Sequence, residues 1–476
     1  MSIARTLRTL AHVLPSLALL WLAACTSTSR PASAPPPIET AAVGAQRAAT
    51  TGATPESTPG FAAVATSPAP ATPPAGTQGP HFAQVPESTI AHPLVDAESP
   101  ELPPQDQPLS SVRVANPGNF PGVPAGLALN LPRGFSISVY AVTGGGPRFM
   151  AVGSDGAVYV ALMTRGQVVR LVDRGGYATP EVVLSGLDNP SSLAFFAGYL
   201  YIGETSEVSR FRVAEAGIDP ASKEVIIPHL PVGGHITRTV AFGPDGLLYL
   251  AVGSSCNVCI ESNPLRAAIT VFDADGQNGR TYATGLRNAV GITWQPGTDE
   301  LWATVNGRDN IGLDMGLSGQ AARDVTDNLP PDYITRVVDG GDYGWPHCYG
   351  DHQLDPRYGD AAFCARALPP TIEIQAHSAP LGLAFYMGAQ FPADYQGNLF
   401  VALHGSWNRQ TPTGYKIVRV VFADGQPVRV EDFATGWLAP SGTVSGRPVG
   451  VLVAPDGALL VSDDSRGVIY RISYGG

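Results

Sequence analysis

Short apolar runs broken by tight turns recur six times along the chain, with polar residues at matching places. The units are PRFMAVGSDGAVYVA from Pro147, PSSLAFFAGYLYIGE from Pro190, TRTVAFGPDGLLYLAVG from Thr237, AVGITWQPGTDELWATV from Ala289, PLGLAFYMG…QGNLFVALHG from Pro380 and RPVGVLVAPDGALLVSDD from Arg447. Asp-Gly and Gly turns dominate, and both residue types tolerate the positive φ that tight hairpins demand. One such hairpin cannot bury its own apolar faces, so self-similarity at a long period predicts stacked or radially arranged sheets.

A third strand follows most hairpins: GQVVRLVD, SEVSRFRV, AAITVFDAD, YITRVVDGG, GYKIVRVVFADG and GVIYRISY. A fourth appears between units as PEVVLSGL, KEVIIPHL and PVRVEDFATG. The pattern predicts an all-β fold, a six-bladed β-propeller of four-stranded antiparallel blades. The last unit ends at the chain terminus without a fourth strand, and the run Phe135–Val142 is expected to supply it and close the ring.

Composition sharpens this picture. Gly is abundant and charged residues make up only 14%, which suits many turns. A formal net charge of −11, with lysine only at 223 and 416, argues against nucleic acid as a partner. Arg5 and Arg8 precede an apolar stretch ending in Leu22-Ala23-Ala24-Cys25, a small-residue pattern resembling a bacterial lipobox. Residues 1–24 are therefore expected to be a lipoprotein signal peptide, with Cys25 lipidated; an ordinary secretory signal is the alternative. The apolar stretch is short for a spanning helix. Residues 25–130, rich in Pro, Ala, Thr and Ser, read as a disordered tether, and 131–476 as the folded domain. The expected location is the bacterial cell envelope, with the lipid anchor as the only membrane contact.

Setting Cys25 aside leaves Cys256, Cys259, Cys348 and Cys364. An even number in an exported chain suggests disulfides, and the local pairs Cys256–Cys259 and Cys348–Cys364 are the simplest connectivity. The CxxC lacks a following His for haem attachment and has no second CxxC for a four-cysteine zinc site; a redox role stays open.

The propeller register makes a statement about chemistry. The residues entering each inner strand and the loops after each second strand open on one face. Arg148, Asn189, His235, Arg287-Asn288, His377-Ser378 and Arg447 hold the first position, and GETSE, GSSCNVC, NGRDN, HGSWNRQ and DDSRG form the second set. His235, Arg287, Asn288, Trp407, Asn408, Arg409 and Arg447 should therefore converge on one mouth of the channel. A neutral imidazole beside cations suits a general base, and arginine forks suit carboxylates. Taken singly, each residue has an ordinary structural explanation; their shared face is the informative point. Nucleotide-binding GxGxxG and GxxxxGK[ST] motifs, GxSxG and HExxH are missing from the sequence.

At these residues the chain resembles the glucose/sorbosone dehydrogenase family of soluble PQQ-dependent sugar dehydrogenases, and within it the sorbosone-dehydrogenase-like branch. The resemblance covers about Leu131 to Tyr474 and is carried by GGHITRTVAFGPDGLLYLAVGSSCNVC, GLRNAVGITW, GGDYGWPHCYGD, HSAPLGLAFY, FVALHGSWNR and GRPVGVLVAPDGALLVSDD. It implies PQQ in the channel mouth, His235 as general base on a sugar's anomeric hydroxyl, and hydride transfer to the quinone beside Arg287 and Asn288. It implies a Ca²⁺ beside the cofactor on carbonyls of Gly307 and Arg308, a cofactor carboxylate on Arg447, and further contacts from Trp407 and Arg409. A structural calcium would map onto Asp332 with carbonyls of Tyr333 and Tyr343. The implied partners are a small-molecule sugar and an envelope electron acceptor. The chain departs from the family at Ser254, where an Asp orients the base, and at Val449, where a second Arg stands. The family's cofactor-contacting Gln falls near residues 187–189, and Arg409 is the only counterpart for its Lys. These departures leave two other readings: a carbohydrate- or surface-binding propeller without cofactor, and a calcium-dependent lactonase or hydrolase on the same architecture.

Overall fold

The computed structural model describes residues 107–475. The expected signal peptide, Cys25 and most of the expected tether lie outside the described residues.

The six units form six blades around a channel, each built on four antiparallel strands; two blades add a two-residue strand, Gly217–Ile218 in the second and the parallel Gly341–Asp342 in the third. Blade 1 runs outward from Pro147–Val152 through Val158–Leu162 and Gln167–Asp173 to Ala178–Ser185. Blade 2 follows with Ser192–Phe196, Tyr199–Gly203, Val208–Ala214 and Glu224–Ile227. Blade 3 comprises Arg238–Phe242, Leu248–Val252, Ala268–Phe272 and Arg280–Thr284. Blade 4 comprises Ala289–Trp294, Leu301–Val305, Asp332–Val337 and Ile372–Ile374. Blade 5 comprises Pro380–Phe385, Leu399–Leu403, Lys416–Ala423 and Gln426–Ala434. Blade 6 takes Pro448–Val453, Leu459–Asp463 and Val468–Tyr474 from the end of the chain, and its outer strand is Phe135–Val142. That strand pairs antiparallel with the last one, Phe135 opposite Tyr474 and Val142 opposite Val468. The ring thus closes as the pattern predicts.

The repeat has a chemical basis at its turns. Asp155 accepts the Ala157 amide and the Tyr159 hydroxyl, and Asp245 does the same for Leu247 and Tyr249. Gly156 and Gly246 follow these aspartates at φ 73° and 77°, a region an L side chain rarely adopts. Apolar clusters fill the wedges between adjacent blades; Tyr249, Ile269, Ile292 and Val305, for example, pack between blades 3 and 4. Near the channel, hydroxyls from one blade bond inner-strand carbonyls of the next. Ser191 and Ser192 donate to the Arg238 carbonyl, Thr239 to Val290, Thr304 to Leu381 and Ser462 to Arg148. These bonds satisfy buried polar groups and fix each blade's rotation against the next.

Two features depart from the sequence reading. Strand structure is already present before 131: Leu109–Arg113 pairs with Ala128–Pro132, and Asn130 exchanges two backbone hydrogen bonds with Thr435. Val114, Leu129 and Leu131 are buried there against Trp437 and Phe433. The intervening turn, NPGNFPGVPAG, has linker composition, which disguises the hairpin. The segment between the second and third strands of blade 4 also carries two helices, Ile311–Asp314 and Gly319–Asn328. Both expected disulfides are present, Cys256–Cys259 and Cys348–Cys364. Among the described residues no helix is long and apolar enough to cross a membrane.

Candidate active site at one mouth of the channel

His235 stands on the loop entering the inner strand of blade 3. Its Nδ1 lies 3.0 Å from the Ser254 carbonyl oxygen and 3.1 Å from Ser254 Oγ. A carbonyl only accepts, and Ser254 Oγ spends its own proton on the Cys256 carbonyl at 2.7 Å. Nδ1 therefore carries the imidazole proton, and Nε2 keeps a lone pair with no protein partner among the described residues. Burial, the charge of Arg287 and, more weakly, the charges of Arg266 and Arg238 push the imidazole down to about 4, against the pull of the Ser254 carbonyl. Ser254 thus orients the ring without adding the negative charge an aspartate would bring.

The loop bearing His235 is fastened by two arginines that the sequence reading overlooked. Arg238 donates to the carbonyls of His235, Thr237 and Pro231. Arg266 donates to those of His235, Gly253, Pro231 and Val232. No carboxylate shares these hydrogen bonds, although Asp188 and Glu261 lie near enough to favour the charges of Arg238 and Arg266 respectively. Burial lowers both, Arg238 to about 10, which leaves it charged at neutral pH. Nothing in the register signals this, because Arg238 reads as the polar start of a strand.

Arg287 is buried and fully engaged. Its Nε donates to the Asn257 carbonyl at 2.9 Å, Nη1 to the Gly307 carbonyl at 2.5 Å, and Nη2 to Asn257 Oδ1 at 3.0 Å and Asp309 Oδ2 at 3.2 Å. Asn288 sits beside His235: a Cβ placed on Gly253 would lie 2.3 Å from Asn288 Oδ1 and 2.7 Å from His235 Cβ. Asn288 Oδ1 is buried without a hydrogen-bond partner, and so is Asn408 Oδ1, whose Nδ2 donates to Asp309. Asp309, also unremarked in the sequence reading, ties Arg287, Asn408 and Asn257 together. It sits in the NGRDN loop, next to residues singled out for another reason.

Across the mouth, Arg447 donates Nε to the His404 carbonyl and Nη2 to the Gly405 carbonyl, and its amide is held by Asp463. His404 Nε2 pairs with Asp464 at 3.0 Å, and Asp464 pairs with Arg148 at 2.9 Å. His404 and Asp464 lie in the loops HGSWNRQ and DDSRG; register places those loops on this face but does not say which side chains turn inward.

The other predicted residues divide. Gly307 joins the site through Arg287 and through its amide, which donates to Asp332 Oδ1 at 2.7 Å. Asp332 is buried, accepts a second amide from Ala379, and is pushed up to about 6 by that burial. The Arg308 guanidinium turns away, to Asp314 and Asp355. Tyr333 and Tyr343 pack in the apolar wedge between blades 3 and 4, and the Tyr343 hydroxyl bonds the Arg336 carbonyl. Arg409 is spent on the carbonyls of Asp327, Ala376 and Thr411. Trp407 is 72% exposed. Val449 is fully buried with Val290, Leu381 and Phe149, all on inner strands, so the place of the family's second Arg is an apolar seam.

Fold and site together define a six-bladed propeller with a neutral histidine and several arginines on the loops entering its inner strands. The TrAA12-like family profile matches residues 129–475, and the chain belongs to that family. A pyrroloquinoline quinone-dependent pyranose dehydrogenase of Coprinopsis cinerea is 28% identical over 412 residues, which cover 72% of this chain and 54% of the relative. The chain thus spans about half the length of that relative. An uncharacterized protein of Borreliella burgdorferi is 27% identical over 364 residues, covering 73% of this chain and 91% of its own. Among solved structures, the holo form of the Coprinopsis pyranose dehydrogenase PQQ domain is similar with a TM-score of 0.64 and 27% identity, covering 76% of this chain and all of that one. The apo form of the soluble aldose sugar dehydrogenase of Escherichia coli shares the fold, with a TM-score of 0.54, 17% identity and coverage of 71% and 99%.

Proposed function

We propose that this protein is a PQQ- and calcium-dependent dehydrogenase of an aldose or related sugar, with His235 as general base at the anomeric carbon. One observation carries the reading: His235 presents an unprotonated Nε2 beside the fixed cation Arg287, at the channel mouth of a propeller whose named relatives are PQQ-dependent sugar dehydrogenases.

The residues present fit the cofactor. PQQ is a planar tricarboxylate with one ring N–H: Arg287 and Arg447 offer positive charge to the carboxylates, while the buried amide oxygens of Asn288 and Asn408, which lack protein partners, can accept from the ring N–H but not from a carboxylate. When bound, PQQ supplies the two-electron acceptor that no side chain provides. Arg447 and Asn288 would hold it, and Arg287 would place positive charge beside it. His235 would take the hydroxyl proton at Nε2, with Ser254 holding the ring in the right tautomer. Calcium would rest on carbonyls, of which Gly307 and Arg308 are the candidates. Among the described residues, the sole group of three His, Cys, Asp or Glu side chains close enough to share a metal is Cys256, Cys259 and Glu261, and its sulfurs are joined to each other.

The leader and the Leu-Ala-Ala-Cys sequence support a lipid-anchored protein of the cell envelope that passes electrons to an acceptor there. The test of the enzymatic reading is dye reduction by the purified protein with PQQ, Ca²⁺ and a panel of aldoses. Turnover should require both cofactors and fall at least ~10³-fold in His235→Ala, the scale of losing a general base. Tight PQQ binding with undiminished turnover in His235→Ala would remove the base from its role. No turnover with any aldose would return the protein to the binding-module reading.

A further inference from the structure

The disulfide Cys256–Cys259 closes a ring of only four residues on the loop after the second strand of blade 3. Asn257 lies inside that ring and turns its carbonyl and both side-chain polar atoms toward the site. Its carbonyl accepts Arg287 Nε at 2.9 Å, and its Oδ1 accepts both Arg287 Nη2 at 3.0 Å and the Asp309 amide at 2.7 Å. Its Nδ2 donates to the Asp309 carbonyl at 2.9 Å. The other edge of the guanidinium meets the Gly307 carbonyl and Asp309 Oδ2. Arg287 is therefore gripped between the ring and the loop of blade 4, in one plane and one place. The same ring reaches the base, since the Cys256 carbonyl takes the hydroxyl of Ser254, and Ser254 holds His235 Nδ1.

The rest of this loop explains why a ring is needed. Ser255 and Ile260, on either side of it, are exposed, and within it only Val258 is buried, so packing anchors the ring through one side chain. A short covalent ring removes backbone freedom that an open loop would retain, and side chains carried on it are set in advance. An asparagine on an open loop would give the arginine a partner without a fixed position.

We propose that Asn257, held in the Cys256–Cys259 ring, is the positioning residue for Arg287 and keeps its charge beside His235. Asn257 touches neither base nor substrate; it acts through the arginine. Its consequence for turnover rests on the sugar-oxidation reading above, whereas its effect on the charge beside His235 does not.

The test therefore starts on the full-length protein without cofactor or sugar. The titration of the His235 imidazole is followed by NMR in wild type, Asn257→Ala, the double variant Cys256→Ala/Cys259→Ala, and Asn263→Ala. Asn263 is in the same loop but caps only the Leu265 amide. The charged groups around His235 are Arg287, Arg266 and Arg238, and only Arg287 is bonded to Asn257. Freeing it should raise the His235 midpoint by about one unit in Asn257→Ala, the size of a lost neighbouring charge. The double cysteine variant should shift it the same way by less, and Asn263→Ala should leave it in place. With PQQ, Ca²⁺ and a turnover substrate, Asn257→Ala should lower kcat by about 10- to 100-fold with KM little changed. A loop needed merely for folding would lower the melting temperature without moving the titration. An unmoved His235 midpoint in both folded variants overturns the proposal. Absent turnover in wild type, with the midpoint shift intact, overturns the enzymatic reading alone.

Discussion

At the scale of single residues, the site is a balance of charge against burial. His235 and His404 are both pushed below the usual imidazole range, burial being the first cause in each. The sign of the consequence is fixed. An unfolded histidine protonates near 6.5, the folded His235 only near 4, so between those values the unfolded chain binds more protons. The stability that the neutral His235 imidazole contributes is present above about pH 6.5 and drains away as the pH falls toward 4, and His404 acts in the same direction. Asp332 and Asp463, whose folded carboxyls are raised, work in the opposite direction. The comparison must therefore be made within a pair: between pH 7 and pH 5 the melting temperature of wild type should fall further than that of His235→Gln. Equal falls would show that His235 is not buried as a neutral base. The sequence made His235, Arg287 and Asn288 legible because register alone puts them at a strand entrance. It could not reveal Arg238, Arg266 or Asp309, since their roles depend on which carbonyls and side chains a folded loop turns toward them.

At the scale of elements, the inner three strands of every blade were visible as alternating apolar runs around Asp-Gly or Gly turns. Outer strands were harder. Arg280–Thr284 and Ile372–Ile374 went unmarked, the first a run with exposed residues, the second only three residues long after a disulfide-bearing excursion. Phe135–Val142 was readable because it alternates and because an open ring needed a partner. Phe135 anchors that strand edge-to-face against Phe391, Tyr395, Phe433 and Tyr474. Replacing it with Ala should cost about 3–5 kcal/mol, the usual price of emptying an aromatic core position, read as a lower urea midpoint. A loss below about 1 kcal/mol would mean that closure depends on backbone pairing rather than on this aromatic cluster.

At the scale of the whole molecule, ring closure sets where the site lies: hydroxyls bridge four of the six junctions between neighbouring blades, and the loops entering the inner strands carry the polar groups. Val290, Leu381, Val449 and Phe149 form an apolar seam among the inner strands. The departure at Val449 is thus a change in that seam as well as a missing cation, a distinction that no spacing rule contains. The arginines that remain, Arg287 at the entrance of blade 4 and Arg447 at the entrance of blade 6, are held by backbone carbonyls. A planar polyanion between them is the simplest occupant for such a mouth. The most direct measurement is calorimetric titration of PQQ into the purified full-length protein, with and without Ca²⁺. The account predicts one saturable site per chain, weakened when Ca²⁺ is withheld and weakened again in Arg447→Ala. Absence of saturable PQQ binding under both conditions would contradict it and leave the propeller as a binding module.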